Sequence, residues 1–236
     1  MLDIQQIEQI IRDELCSDNN FHSVHQISFY GAGCLGAQCA LVEEALRSVW
    51  PAASSVLVQS DLVGAARALY PESDGIACIL GTGSNSGLYI DGEIVDNVSP
   101  LGYILGDEGS GAVLGRRLLG DIMKKQLPLS VQQAFREFCP LTSDDIIRKV
   151  YREPMPNRFL ASFAPFLYEQ RQVPEVRQVL VEEFSRFFRR NVALYQRPDL
   201  PVSFVGSIAY YFADEVTEAA RLQGYTIGTI KRAPLD

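Results

Sequence analysis

Residues 76–111 read IACILGTGSNSGLYIDGEIVDNVSPLGYILGDEGSG, and this stretch decides the fold. It predicts an apolar strand at Ile76–Leu80 that ends in a glycine turn, followed by strands at Gly87–Ile90 and Glu93–Val95 that a tight Asp91-Gly92 turn joins. Glycine inside regular structure costs stability and is usually placed for unusual dihedral angles or close backbone approach. The many glycines here therefore indicate a functional segment, which closes with Gly-Asp-Glu-Gly at 106–109 before a predicted helix.

The bulk composition is that of a globular protein. The chain has 236 residues, of which 47% are hydrophobic and 21% are charged, enough for one large or two small domains with a sizeable core. A net charge of −8 argues against nucleic acid as a partner. No apolar run is long enough to span a membrane, and Met1–Gln5 lacks the start of a signal peptide. We therefore expect a cytoplasmic protein without a membrane partner.

The cysteines point to the same compartment. They are odd in number and scattered, without a C-x-x-C motif: Cys16, Cys34, Cys39, Cys78 and Cys139. This pattern predicts reduced, mostly buried thiols rather than a disulfide framework or a zinc site.

The first 70 residues alternate between helix and strand, which predicts a parallel sheet of βαβ type. The predicted elements are a helix at 3–15 capped by Asp3, a strand at Gln26–Tyr30, a helix at Cys39–Trp50, a strand at Ser55–Val58 and a helix at Asp61–Leu69. Short consecutive strands begin after Asp74. We therefore place a domain boundary near Pro71–Gly75, with domains at 1–73 and 74–236.

The rest of the second domain is mainly helical, with a helical insertion at about 107–195. Helices are predicted at 107–125, 130–138, 143–151, 157–170 and 174–195. A strand at Val202–Val205, a helix at Ala209–Gln223 and a strand at Thr226–Ile230 follow.

One motif resembles a dinucleotide-binding fingerprint. Gly31-Ala32-Gly33-Cys34-Leu35-Gly36 follows a strand and precedes a helix, and Asp61 lies beyond the next strand. A helix precedes the supposed first strand, however, and this interpretation leaves the glycine clusters after residue 80 unexplained. The alternative is a tight strand-to-helix turn that needs glycine.

Three other segments carry residues suited to phosphate transfer. Gly81-Thr82-Gly83-Ser84 joins two strands, so its backbone N–H groups and hydroxyls can form a nest for phosphate oxygen. Asp61 is either a helix cap or a general base for an attacking hydroxyl. Asp107 and Glu108 are either a cap or carboxylates that face sugar hydroxyls or hydrated Mg²⁺. His22 and His25 fall in a predicted surface loop and receive no role.

Taken together, GTGSN at 81–85, LGYILGDEGS at 101–110 and VGS at 205–207 resemble the N-acetylglucosamine kinase family. That family belongs to the BadF/BadG/BcrA/BcrD-type ATPases of the actin–hexokinase superfamily. The resemblance covers essentially the whole chain. It implies an α/β fold with two ribonuclease-H-like domains closing over ATP, Mg²⁺ and a small-molecule sugar, and a homodimer is the candidate assembly.

The resemblance also implies roles for individual residues. Asp61 would be the base that acts on the sugar 6-hydroxyl, and Mg²⁺ would arrive with ATP rather than on protein ligands assigned here. The sugar would be lined by Ser84, Asn85, Gly102 and Asp107. The nucleotide would meet Gly81, Thr82, Gly83, Gly206 and Ser207.

One departure from the family pattern concerns its opening phosphate loop, D-x-G-x-[ST]-x-[ST], which does not occur in this sequence. The resemblance therefore predicts an incomplete first domain, truncated at the N-terminus and slightly at the C-terminus, and a fragment that could be inactive. The alternatives are a regulatory protein that binds sugar or nucleotide without catalysis, and the activator ATPase of a 2-hydroxyacyl-CoA dehydratase. The latter would need an iron–sulfur cluster, for which Cys34 and Cys39 match poorly.

Overall fold

The computed structural model describes residues 3–16 and 24–235, so His22 lies outside the described residues. The chain falls into two compact units, Met1–Gly64 and Ala65–Asp236. The helix Asp61–Leu69 starts in the first unit and continues into the second. The domain boundary expected near residue 73 stays a prediction.

The first unit contains a parallel pair of strands with helices, as the alternating pattern predicts. Its elements are α1 (Ile4–Leu15), β1 (Gln26–Gly31), α2 (Ala37–Val49), β2 (Ser55–Ser60) and the start of α3 (Asp61–Leu69). The β1–β2 register runs from Gln26 opposite Ser55 to Gly31 opposite Ser60. The unit has its own apolar core, formed by Ile11, Ala45, Leu46, Trp50, Ala53 and Val56.

A capping box starts α1. The Asp3 carboxylate accepts a hydrogen bond from the Gln6 backbone N–H at 2.8 Å, and the Gln6 side chain accepts one from the Asp3 N–H at 3.0 Å. These bonds satisfy donors that a helix start otherwise leaves unpaired. The predicted Asp3 cap is confirmed.

The second unit is built on a mixed five-stranded sheet. Its strands are β3 (Gly75–Leu80), β4 (Ser84–Ile90), β5 (Glu93–Asp96), β6 (Val202–Val205) and β7 (Ile227–Lys231), in the spatial order β5-β4-β3-β6-β7. The pairs β3–β4 and β4–β5 are antiparallel, whereas β3–β6 and β6–β7 are parallel. Asp91 and Gly92 both have positive φ, so the tight turn predicted between β4 and β5 is confirmed.

Helices occupy the sequence between β5 and β6 and most of the segment before β7. They are α4 (Gly102–Leu105), α5 (Gly111–Met123), α6 (Leu129–Phe138), α7 (Ser143–Tyr151), α8 (Pro156–Ala161), α9 (Ala164–Gln170), α10 (Pro174–Arg190), α11 (Ser207–Tyr211) and α12 (Ala213–Leu222). A short 3₁₀ segment at Val192–Tyr195 follows α10. Among the described residues, no helix combines the length and apolar character needed to cross a membrane.

Four predicted helices differ from the observed ones. The helix expected from residue 107 begins at Gly111, because Asp107 and Gly109 have positive φ values that a right-handed helix excludes. Breaks after α8, α10 and α11 divide the helices predicted at 157–170, 174–195 and 209–223. The helices around these breaks pack on β3 and β6 through a core rich in phenylalanine. Its buried phenylalanines include Phe163, Phe184, Phe187, Phe188, Phe204 and Phe212.

The packing of α5 on α8 gives a matched test. A Cβ at Gly115 would lie 1.9 Å from the Leu160 carbonyl oxygen, whereas a Cβ at Gly120, in the same helix, would meet nothing within 4 Å. Gly115→Ala should therefore lower the free energy of unfolding by about 2–3 kcal/mol through overpacking. Gly120→Ala should raise it by about 0.5–1 kcal/mol, because alanine is the better helix former. Urea denaturation measures both, and equal effects of the two substitutions would contradict this packing.

Candidate functional site

The turn between β3 and β4 consists of three residues, Gly81-Thr82-Gly83, between the paired residues Leu80 and Ser84. The Gly81 N–H donates to the Gly83 carbonyl across the turn at 2.9 Å. The Gly81 N–H is therefore paired inside the turn, and phosphate binding at this turn stays a prediction. The groups of the turn suited to meeting a phosphate are the Thr82 hydroxyl and the N–H groups of Thr82 and Gly83.

The same turn is held from behind by the start of α5. The Gly111 N–H donates to the Gly81 carbonyl at 2.8 Å, and the Ala112 N–H donates to the Thr82 carbonyl at 3.1 Å. The next N–H, of Val113, donates to the Ser110 hydroxyl at 3.2 Å. The first N–H groups of α5 are therefore used within the protein, in fixing the turn and capping the helix.

Asp107 belongs to the chain that leads into α5, and its carboxylate lies beside Gly83 and Ser84, where the turn enters β4. Its Oδ1 accepts a hydrogen bond from the Ser84 N–H at 3.3 Å, and a Cβ at Gly83 would lie 3.2 Å from its Oδ2. Burial raises the pKa of Asp107, and the charge of Glu108 adds to this, while the Ser84 N–H opposes it. Gly83 thus leaves room for a carboxylate that forms no ion pair with the residues that the structure describes.

Glu108, the neighbour of Asp107, has a different environment. Its side chain is buried and accepts hydrogen bonds from the Arg190 Nε and, at 3.3 Å, from the Asn191 Nδ2. From the sequence, both carboxylates of the Gly-Asp-Glu-Gly motif were candidates to bind a ligand. The structure separates them, because Glu108 anchors the loop to the end of α10 and Asp107 faces the turn.

Ser84 and Asn85 open β4. Ser84 is buried, and Asn85 is half-buried. The Asn85 Oδ1 accepts from the Ser86 N–H at 2.9 Å and from the Asn97 Nδ2 at 3.0 Å. The sequence did not single out Asn97, because its contact with Asn85 depends on the register of β5.

Gly102 begins the short helix α4, with φ +74°. The Gly106 N–H donates to the Gly102 carbonyl at 2.7 Å, and the Asp107 N–H donates to the Pro100 carbonyl at 2.9 Å. The Arg116 guanidinium donates to the Tyr103 carbonyl and, at 3.4 Å, to the Ile104 carbonyl. Gly102 therefore belongs to a closed, hydrogen-bonded loop that leads directly into Asp107.

A cavity of about 450 Å³ adjoins the turn within the second unit. Gly81 and Thr82 line it together with Ser207, so the structure brings these three predicted nucleotide-binding residues together. The remaining wall is formed by Ala161, Ser162, Ala164, Pro165, Tyr168, Ile208, Tyr211 and Phe212. Position 206, next to Ser207, requires glycine, because its φ is +128° and a Cβ there would lie 2.2 Å from the Leu80 carbonyl oxygen.

Aromatic rings form one side of this cavity. The Tyr168 and Tyr211 rings meet edge to face at 5.7 Å, and the Arg171 guanidinium lies 3.8 Å from the Tyr168 ring centroid. Sequence reasoning missed Tyr168, Ser162 and Tyr211, because their shared position depends on the breaks between α8 and α9 and between α11 and α12.

Asp61 belongs to the first unit and begins α3. Its Oδ1 accepts from the Leu62 N–H at 2.9 Å, while the Ser60 hydroxyl accepts from the Val63 N–H at 3.4 Å. The hydroxyl of Ser60 thus supplies a helix cap, which weakens the interpretation of Asp61 as a structural cap. Burial raises the pKa of Asp61, opposed by backbone hydrogen bonds to its carboxylate.

The glycines at 31–36 form a tight turn before α2. Gly33 and Gly36 have positive φ, and a Cβ at Gly31 would lie 2.5 Å from the Phe29 ring. The groove beside this turn is lined largely by apolar side chains of α1, β1 and α2, among them Ile7, Ile11, Phe29 and Val42. Conformation and packing therefore account for these glycines without a dinucleotide, and dinucleotide binding stays a prediction.

Within residues 3–16 and 24–235, no three histidine, cysteine, aspartate or glutamate side chains gather as a candidate metal site.

No protein-family model and no curated protein matches the chain. Among solved structures, it is similar to the "Putative N-acetylglucosamine Kinase" of Porphyromonas gingivalis, with 45% identity and a TM-score of 0.96 over 99% of this chain and 83% of that one. A protein of the same description from Chromobacterium violaceum is 22% identical, with a TM-score of 0.65 over 82% of this chain and 68% of that one.

The ethanolamine utilization protein EutJ of Carboxydothermus hydrogenoformans shares the fold at 18% identity, with a TM-score of 0.54 over 99% of this chain and 71% of that one. The expected α/β fold of the actin/hexokinase type is thereby confirmed. At 45% identity over nearly its whole length, the chain belongs to the family of the Porphyromonas gingivalis protein.

Proposed function

We propose that this protein is an ATP-dependent kinase of an amino sugar, and that its reaction converts N-acetylglucosamine to the 6-phosphate. One observation carries the proposal. The turn Gly81-Thr82-Gly83 borders a nucleoside-sized cavity through Thr82 and a carboxylate, Asp107, through Gly83. A phosphoryl donor and a hydroxylated acceptor could therefore meet at a single turn. Membership in the family of the Porphyromonas protein supports the same reaction.

In this proposal the nucleotide occupies the cavity beside the turn. A volume of about 450 Å³ lies within the range of ordinary small-molecule sites. The base would pack against Tyr168 and Tyr211, Ser207 would border the ribose with Gly206, and the turn 81–83 would contact the phosphates. Mg²⁺ bound to ATP would neutralise charge on the transferred phosphoryl group.

The acceptor sugar would lie on the Asp107 side of the turn. Ser84, Asn85 and Gly102 would surround it, and the Asp107 carboxylate would accept hydrogen bonds from its hydroxyls. A carboxylate is suited to this role because hydrogen bonds to an ionised acceptor are stronger than those between neutral groups. The half-buried position of Asp107 makes water a poorer competitor for those bonds.

Asp61 would act as the general base. As the sugar 6-oxygen forms a bond to the γ-phosphorus, the bond from that phosphorus to the bridging oxygen breaks, and the hydroxyl proton passes to the Asp61 carboxylate. The products are the sugar 6-phosphate and ADP. The raised pKa of Asp61 suits the role of general base, because a carboxylate whose pKa lies closer to neutral pH takes the proton more readily.

Asp61→Asn should lower kcat by about 10²–10⁴-fold, the usual contribution of a general base. Asparagine retains an oxygen for the Leu62 N–H, so folding and the KM for ATP should change little. In the wild type, kcat/KM should fall as the pH is lowered through the raised pKa of Asp61, since protonation removes the base. Coupled ADP release with a panel of hexosamines measures these quantities.

Two outcomes would contradict the kinase proposal. One is wild-type protein that releases no ADP with any hexosamine. The other is full turnover by Asp61→Asn with an unchanged acidic limb of the pH profile. Sugar binding detected by calorimetry, without ATP hydrolysis, would favour a binding protein instead.

Asp107→Asn should separate function from stability. Because burial raises the pKa of Asp107, the fold disfavours the ionised form. The resulting loss of folding stability is absent below the ordinary pKa of 3.8, because Asp107 is then protonated in both the folded and the unfolded state. The loss develops as the pH rises through 3.8, and it is complete above the raised pKa of the folded state. The variant keeps an oxygen for the Ser84 N–H, so at pH 7 it should be at least as stable as the wild type.

The stability difference for Asp107→Asn should disappear near about pH 3, where both states bind the proton. Thermal unfolding across this pH range measures it. The KM for the sugar should rise by about tenfold or more, as expected for loss of a charge-assisted hydrogen bond of about 1.5 kcal/mol. An unaltered sugar KM would remove Asp107 from the sugar site.

The cavity is tested by filling it. Ser162 is exposed at its rim, so Ser162→Trp should fold and should raise the KM for ATP by about tenfold while changing the KM for the sugar little. Arg158→Trp, on α8 but outside the cavity lining, is the matched control and should leave the ATP KM unaltered. Steady-state kinetics in which each substrate is varied in turn measures the KM values for ATP and for the sugar in both variants. Equal effects of the two substitutions on ATP would place the nucleotide elsewhere.

A further inference from the structure

The Asn85 side chain has a fixed polarity. Its Oδ1 accepts two hydrogen bonds, from the Ser86 N–H at 2.9 Å and from the Asn97 Nδ2 at 3.0 Å. A carbonyl oxygen has two lone pairs, so both acceptor positions of this amide are used. The side-chain group of Asn85 that remains for a ligand is the Nδ2, which can only donate.

Asn97 is itself oriented without ambiguity. Its Nδ2 donates to the Ser86 carbonyl at 2.6 Å, and the Val98 carbonyl lies 3.4 Å from the same nitrogen. These neighbours and the Asn85 Oδ1 are all acceptors, so reversing the Asn97 amide would place oxygen against oxygen. Asn97 is exposed and follows the end of β5. It therefore acts on Asn85 from outside the strand pair and is not part of the core.

The Asp107 carboxylate and the Asn85 amide both lie where the turn enters β4. Successive side chains of a strand alternate between faces, so within β4 Asn85 points in one direction and Ser84 and Ser86 point in the other. The Cβ direction of Gly83 leads to the Asp107 Oδ2 at 3.2 Å, whereas the Ser86 hydroxyl contacts the buried Tyr195 hydroxyl at 2.8 Å. The turn and the start of β4 thus carry an acceptor, the Asp107 carboxylate beside Gly83 and Ser84, and a donor, the amide of Asn85.

We propose that Asn97 is a positioning residue that holds the Asn85 amide as a donor, so that Asn85 binds an acceptor oxygen of the sugar. This proposal rests on the proposed kinase function for the identity of its ligand. The acceptor is a hydroxyl oxygen or the carbonyl oxygen of an N-acyl group. A protonated amine has no lone pair and does not satisfy Asn85.

The decisive variant is Asn97→Asp. Its carboxylate places oxygen against the Asn85 Oδ1 and the Ser86 carbonyl, so the Asn85 amide must rotate or move to avoid the repulsion. We expect the KM for an N-acylated hexosamine to rise by about tenfold, which corresponds to about 1.4 kcal/mol. The KM for ATP and the thermal midpoint should remain those of the wild type, because Asn97 is exposed.

Val95→Asp is the matched control. Val95 is exposed on β5 two residues earlier, and its apolar side chain makes no hydrogen bond to Asn85, so the variant adds the same charge to the same segment without removing an Asn85 partner. It should leave the sugar KM unaltered. Asn97→Ala, which removes the orienting donor without adding repulsion, should give a smaller rise of about threefold.

The outcomes separate this proposal from the kinase proposal. Sugar KM values that are the same in Asn97→Asp and Val95→Asp would overturn the role of Asn97, as would parallel changes in both substrate KM values and the thermal midpoint. If the wild type binds a hexosamine in calorimetry without releasing ADP, the kinase proposal fails. A selective loss of sugar affinity in Asn97→Asp would then still support the positioning role. A wild type that binds no hexosamine would overturn both.

Discussion

The site in the second unit depends on two hydrogen bonds between the start of a helix and a three-residue turn. The N–H groups of Gly111 and Ala112 donate to the carbonyls of Gly81 and Thr82. A helix start has N–H groups without partners in the helix, and a turn between strands has carbonyls without partners in the sheet. Each element therefore satisfies the other, and the turn is fixed against the start of α5.

Fixing the turn also fixes what lies on each side of it. The chain that leads into α5 carries Asp107 in a left-handed conformation, and the buried Glu108 ties that chain to Arg190 and Asn191 at the end of α10. A buried carboxylate without such partners would be strongly destabilising. The pairing of Glu108 thus leaves Asp107 as the carboxylate of the motif that can serve a ligand, although its own burial raises its pKa.

Much of this architecture could be predicted because it depends on residues that are close together in the sequence. The Asp91-Gly92 turn, the bounds of α3 and the parallel β1–β2 pair follow from turn chemistry, periodicity and alternation of elements. The late start of α5 and the breaks in three predicted helices do not, because packing around the phenylalanine core decides them. The helical periodicity of the sequence continues through Ser162 and Phe212, but the helices break at these residues. Tertiary packing, which buries Phe212 in the core, overrides the local helical preference there.

The same distinction applies to the candidate site. Glycine motifs mark a backbone conformation and can be recognised in sequence, so the turn at 81–83 and the strained Gly206 could be predicted. Tyr168, Asn97 and Arg116 carry no such signal, because each acts through a neighbour distant in the chain. Asn97 shows the consequence most clearly. It is an ordinary polar residue after an edge strand, yet the register of β5 against β4 makes it the group that decides whether Asn85 donates or accepts. The candidate binding elements can thus be found from sequence, whereas the choice of hydrogen-bond donor or acceptor that they present is set by tertiary structure.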